Sequence, residues 1–243
     1  RVARAELALS EFGSLERGTL IVQASQTIAG YWLPRHLVAF RRAHPRIDVR
    51  LTISNTVQAA EAVETGAAEL GFVEDAVEND QLVSVPVARD QLVLVVGPEH
   101  PWARGRALKA ADLPGSEWVL REPGSGTRSA IEDAVARLGT KATSLRIAME
   151  VPSNEAVRAA VEAGLGATAR SGSVAAPSIE SGLLHHGKLT LPQREFRVLR
   201  HSRRYLSRAA TALLAAIVPS PAARAALSID GQSGARRKTR SRR

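Results

Sequence analysis

Two runs of strand–helix alternation constrain this chain more than any single residue does. Thr19–Ala24 reads as a strand. A helix carrying Leu33, Leu37 and Phe40 follows and stops near His44-Pro45. Ile47–Ser54 then alternates as a second strand, Val57–Thr65 makes a second helix ended by Gly66, and Glu69–Val73 a third strand. Parallel strands need a crossover, and a helical crossover covers the sheet it spans, so this order predicts a parallel sheet layered with helices. Leu82–Val87 and Gln91–Val96 read as two further strands. After a loop-rich stretch the alternation resumes with Glu117–Leu120, Ser129–Leu138, Arg146–Val151 and Asn154–Ala163. Strands around Lys188–Leu191 and Glu195–Arg200 and a helix at Ser207–Val218 complete it.

Two alternating runs in 243 residues imply two α/β lobes, Rossmann-like in layering. The chain leaves the first lobe near Val96 and returns near Leu199, so two strands would form a hinge. The expected division is a linker helix at 1–17, lobe I at 18–96 plus 199–218, lobe II at 97–198, and a disordered basic tail at 219–243. The linker follows from Val2, Ala5, Leu9 and Phe12, which fall on one helical seam with charged flanks and suit pairing with a second copy.

Ligands of open α/β sheets bind at the carboxyl ends of parallel strands, which directs attention to two polar strand-to-helix junctions. One is Arg121–Arg128, REPGSGTR. Its glycines, Gly124 and Gly126, let several backbone N–H groups converge, and the helix start beyond adds unpaired N–H groups with a positive dipole end. Ser125 and Thr127 add hydroxyls and Arg128 a planar charged fork, a set of groups suited to a small anion. Thr127 also reads as an N-cap. The other junction, Ser25, Gln26 and Thr27, consists of ordinary helix-capping residues that would become a second wall if the lobes oppose it to REPGSGTR. Asn55-Thr56 repeats that logic one turn further along lobe I.

Other chemistry finds little support. With no cysteine, thiolate catalysis, disulfides and Cys-ligated metal are excluded. His185-His186 lack an evident third ligand and read as turn residues, so neither a metal nor a cofactor is expected. Gly164–Ala169 and Gly182–Lys188 match phosphate-loop patterns formally, but neither lies between a strand and a helix. No Ser–His–acid set or convergent acid–base pair declares an enzyme. The net charge of +9 owes much to the final eight residues, which hold Arg236, Arg237, Lys238, Arg240, Arg242 and Arg243. It therefore marks a tail, not a nucleic-acid-binding face. No apolar run approaches the roughly 20 residues of a membrane helix.

Several segments, in order, resemble the effector-binding domain of LysR-type transcriptional regulators: Gly18–Pro34 with ASQTIAGYWLP, FRRAHPRIDVRL (Phe40–Leu51), ETGAAELGFVE (Glu64–Glu74), LVLVVGPEHPWA (Leu92–Ala103), REPGSGTR and VPSNEAVRAAVEAGLG (Val151–Gly166). The resemblance implies a two-lobed fold like type 2 periplasmic binding proteins and a pairing linker helix giving homodimers or homotetramers. It also implies a DNA-reading winged helix-turn-helix lying before Arg1. A cytoplasmic sensor of a small anionic effector is expected, touching DNA only through that preceding domain. Carried over by position, Ser25, Gln26, Thr27 and Thr56 would contact effector from lobe I, and Ser125, Gly126, Thr127 and Arg128 from lobe II. At Ala167–Gly172 (ATARSG) the chain is small and polar where the family has an apolar strand. A solute-binding protein serving a transporter is the alternative on the same architecture; it would carry an export signal and has no use for the seam at 1–16.

Overall fold

The computed structural model describes residues 18–218 and 220–227, so the expected linker helix at 1–17 and the final basic run lie outside the described residues. Eight strands form one sheet in the order β2-β1-β3-β8-β4-β7-β5-β6. β1 (Gly18–Ser25) lies parallel between β2 (Ile47–Ser54) and β3 (Leu70–Glu74). β5 (Glu117–Arg121) lies parallel between β6 (Arg146–Val151) and β7 (Ala167–Ser171). These two parallel blocks are the cores of two lobes. The long antiparallel strands β4 (Leu82–Val96) and β8 (His185–His201) join them.

β4 and β8 correct the sequence reading, which divided each into two strands. The polar residues between the expected halves are held in the ladder: Arg89 pairs with Glu195 and Asp90 with Arg194, so the strands run on, with irregular register on either side. His185 and His186, read as turn residues, open β8. The apolar packing nevertheless changes sides along these strands. Val85, Val87, Phe196 and Val198 belong to the cluster around Trp32, Phe72 and Leu213. Leu92, Leu94, Val96 and Leu191 belong to the one around Trp118, Leu120 and Ile131.

Helices cover both blocks. Lobe I carries α1 (Leu33–Ala43), entered through a wide π-helical turn at Ile28–Trp32, and α2 (Thr56–Thr65). α2 has an Asn55–Gln58 capping box and a left-handed Gly66 stop; the Asn55 cap and the Gly66 stop match the sequence reading, and Gln58 completes the box. Lobe II carries α3 (Gly126–Arg137), α4 (Asn154–Glu162) and α5 (Gly172–Glu180). α6 (Arg208–Ile217) returns to lobe I, where Ala210 and Leu213 are fully buried.

Residues 219–243 were expected to lack structure, yet α7 (Pro221–Leu227) forms. Pro221 opens the helix, and Leu227 is buried in the lobe I cluster. Burying such a side chain contributes about 1.5–3 kcal/mol, a tertiary contribution that sequence periodicity leaves unmarked. The polar segment Ala167–Gly172 also behaves unlike its composition: β7 is buried along its whole length, Thr168, Arg170 and Ser171 included.

Candidate functional site

The site forms where β1 and β5 hand the chain to helices at their carboxyl ends. Ser25 closes β1, and Thr27 already has helical backbone angles (φ −62°, ψ −46°) with no side-chain cap bond. The expectation that it caps the following helix is thereby corrected: its hydroxyl is released for other partners. On the opposite lobe, Ser125 takes the position before α3, with no side-chain cap bond, and Thr127 lies inside the helix instead of capping it. Gly124, at φ +87°, makes the turn that only glycine adopts cheaply.

The two junctions meet. Thr27 Oγ1 and Thr127 Oγ1 are 3.4 Å apart and both residues are buried, across 100 residues of chain. Asn154, first residue of α4, donates through Nδ2 to Thr27 Oγ1 at 3.1 Å. Arg194, from the middle of β8, donates through Nη1 to Thr127 Oγ1 at 3.3 Å and through Nε to Asp90 Oδ2 at 2.8 Å. Asp90 accepts in turn from Ser171 Oγ at 2.6 Å. Two polar atoms of this cluster, Ser25 Oγ and Arg194 Nη2, are buried with no protein partner.

The remaining sequence candidates have other partners. Gln26 clasps the start of α4: its Nε2 donates to Pro152 O at 2.9 Å and its Oε1 accepts from Asn154 N–H at 2.8 Å. Thr56 donates to the buried carboxylate of Glu74 at 3.2 Å. Gly126 packs against that same pair; a Cβ there would stand 2.5 Å from Thr56 Oγ1 and 2.8 Å from Glu74 Oε2. Glu74 thus lays a carboxylate from lobe I against the positive end of α3.

Arg128 is drawn away from the junction. Its Nε donates to Glu132 Oε1 at 2.8 Å, its Nη1 to Arg121 O at 3.1 Å, and it also pairs with Glu150. Hydrogen bonding to Glu132 and then to Glu150 holds this guanidinium even more firmly protonated than usual. Arg121, the other cation of REPGSGTR, spends Nε and Nη2 on Glu122 and Nη1 on Asn154 Oδ1. Against partial burial, these bonds from Arg121 keep the Glu122 carboxyl below its ordinary range.

The junction also holds polar residues that the sequence reading did not single out: Arg194, Asp90, Asn154, Ser171 and, through Asn154 O, Arg170. Arg194 falls in the gap between two expected strands, Lys188–Leu191 and Glu195–Arg200, and only the unbroken course of β8 places it. Around the site the lobes touch repeatedly. Asn55 Nδ2 donates to Glu122 Oε1 at 3.2 Å, Val57 N–H to Gly124 O at 3.2 Å, and Tyr31 OH to Glu155 Oε1 at 3.3 Å. Among the described residues no group of three His, Cys, Asp or Glu side chains is arranged to hold a metal ion, and no helix is long and apolar enough to cross a membrane.

Two α/β lobes joined by two long strands, with hydroxyls and guanidinium groups converging where parallel strands end, define a two-lobed ligand-binding domain of the type 2 periplasmic-binding-protein architecture. The chain belongs to the LysR substrate binding domain family, whose profile matches residues 13–221. A probable RuBisCO transcriptional regulator of Cyanophora paradoxa is 30% identical over 208 residues, 84% of this chain and 64% of that protein. The chain thus spans under two thirds of the length of that relative. The regulatory domain of CcmR from Synechocystis PCC6803, solved in complex with 2-PG, superimposes with a TM-score of 0.74 at 25% identity, covering 83% of this chain and 96% of that one. The cofactor-binding domain of the Cbl transcriptional regulator gives 0.75 at 20% identity, over 92% and 96%.

Proposed function

We propose that this chain is the sensing part of a LysR-type transcriptional regulator that binds a small anionic metabolite between its lobes. The observation that carries this reading is the Thr27–Thr127 contact, with Arg194 bonded to Thr127 and keeping Nη2 buried and unpartnered, and with Ser25 Oγ, at the end of β1, also buried without a protein partner. Leaving such groups unpaired costs about 1–3 kcal/mol each, and a ligand that satisfies them recovers that cost. At 3.4 Å the two hydroxyls leave no room for an anion between them, so a ligand enters by parting the lobes and taking the place of the direct contact. The effector then shifts lobe orientation by its differential affinity for the two arrangements, typically about 1–3 kcal/mol. The RuBisCO-regulator relatives and the 2-PG complex of CcmR support a metabolite of carbon assimilation as the effector class.

The protein acts in the cytoplasm as a homodimer or homotetramer assembled through the linker helix and lobe I. Effector binding alters the spacing of DNA-reading domains that precede this chain. Calorimetric titration of the full chain with sulfate, sulfite, carboxylates and phosphorylated sugars tests the site. Thr127→Val and Arg194→Gln are each expected to weaken the binding anion about tenfold or more. Binding indifferent to both substitutions removes the site.

A further inference from the structure

Within the cluster, cations and carboxylates are mostly matched: Arg194 with Asp90, Arg121 with Glu122, Arg128 with Glu132 and Glu150. Arg170 is different. It lies on β7, is 4% exposed, and has no carboxylate within salt-bridge distance among the described residues. Its Nη2 donates to Asn154 O at 3.4 Å, while Nε and Nη1 are buried without a protein partner. A buried, unpaired charge is among the costliest features a fold can keep. Burial indeed pushes this guanidinium below its usual pKa, against the more distant attraction of Glu155.

Arg170 also stands at the lobe boundary. Asn154, whose carbonyl it touches, is the residue gripped by Gln26 and Thr27 from lobe I. It adjoins the α4 start, where Gln26 Oε1 accepts from Asn154 N–H and Ser153 Oγ from Ala156 N–H, so the positive end of this helix and an unpaired guanidinium lie together. Arg194 and Arg170 therefore both reach this junction, Arg194 through Thr127 and Arg170 through Asn154, and each keeps N–H groups unspent.

We propose that Arg170 receives a second acidic group on the effector, so that the site selects a compound bearing two anionic ends. This rests on the cleft reading above: Arg194 with Thr127 takes one end, and Arg170 with the start of α4 takes the other. A two-ended acid neutralises the charge that β7 buries; a single-ended one leaves it exposed to the same cost.

The experiment is a titration of the full chain with acids of one and two ends. Acetate and inorganic phosphate are the single-ended probes; malonate, succinate, glutarate and phosphoglycolate span increasing separations or mixed ends. Wild-type protein is expected to prefer the best two-ended acid over the single-ended probes. Arg170→Gln should cut that acid's affinity about ten- to a hundredfold, leaving the single-ended probes within about twofold. Arg194→Gln should weaken both classes. Arg170→Lys, which keeps charge but not the fork, should retain a reduced preference. Because the arginine is held against a cost, the ligand-free melting temperature of Arg170→Gln should not fall.

If Arg194→Gln weakens binding but Arg170→Gln affects both classes equally or neither, the second-acid role is wrong and the cleft stands. A ligand-free Arg170→Gln that melts earlier assigns the side chain to the scaffold and also overturns the role. Failure of every probe, or indifference to Arg194→Gln and Thr127→Val, brings down the cleft reading and this inference with it.

Discussion

Arg128 is a cation of the expected type whose fork is already engaged by carboxylates. A guanidinium beside a glycine-rich turn suits an anion, but Glu132 lies one helical turn away and Glu150 on the neighbouring strand, and both claim it. Arg128→Ala is accordingly expected to leave anion affinity within about twofold. Its stability cost should be about 1 kcal/mol or less, since part-exposed ion pairs contribute little. A tenfold loss in calorimetry would return Arg128 to the site. Arg194 is the converse. In sequence it is one arginine of many; in the fold its Nε is fixed by Asp90, 104 residues away, and its far nitrogen is left over. The difference between these two residues is supply of carboxylates, which only neighbours in space decide.

At the scale of elements, helix starts organise this protein, and acidic side chains attend several of them. Glu69 satisfies the first turn of α6, accepting from Ser207 N–H at 2.8 Å and from Ser207 Oγ at 2.9 Å. Burial nevertheless raises its pKa above the ordinary 4.5, outweighing both bonds. The folded chain thus binds this proton more tightly than the unfolded chain. The stability it contributes is full below the ordinary carboxylate pKa and is lost as pH rises through the raised folded value. Glu69→Gln keeps an acceptor and a donor toward Ser207 without titrating. Denaturant unfolding should therefore favour wild type over Glu69→Gln more at about pH 4 than at about pH 7. Equal differences at the two pH values would contradict the sign. α7 teaches a related lesson, because its two turns rest on Leu227 meeting a core built by residues far upstream.

For the whole molecule the decisive question is how closely the lobes can approach. Gly126 sets that limit, since its missing side chain is what lets α3 rest on Thr56 and Glu74. Alanine suits a helix better than glycine by about 1 kcal/mol, so Gly126→Ala should not disturb α3 itself. Its methyl group should instead hold the lobes apart. The expected outcome is a larger radius of gyration in solution scattering and anion affinity raised severalfold, because the parted arrangement that admits the anion becomes the major one. Unchanged dimensions and unchanged affinity would show that the contact yields locally and does not govern closure. The Thr27–Thr127, Gln26–Asn154 and Asn55–Glu122 bonds all cross between lobes and would open together in that variant.

Periodicity settled the layers. Apolar alternation in Ile47–Ser54 and the capped, glycine-stopped run that became α2 are local signals, and local signals survive in a single sequence. The same holds for the two polar junctions, whose residues announce a strand handing over to a helix. Tertiary structure decided everything that depends on matching partners: the unbroken course of β4 and β8, the folding of α7, and the withdrawal of Arg128. It also decided which donors remain unpaired in the cleft. Those outcomes turn on charges and hydroxyls brought together across a hundred residues of chain, and a residue's type does not reveal whether its partner in space has already been taken.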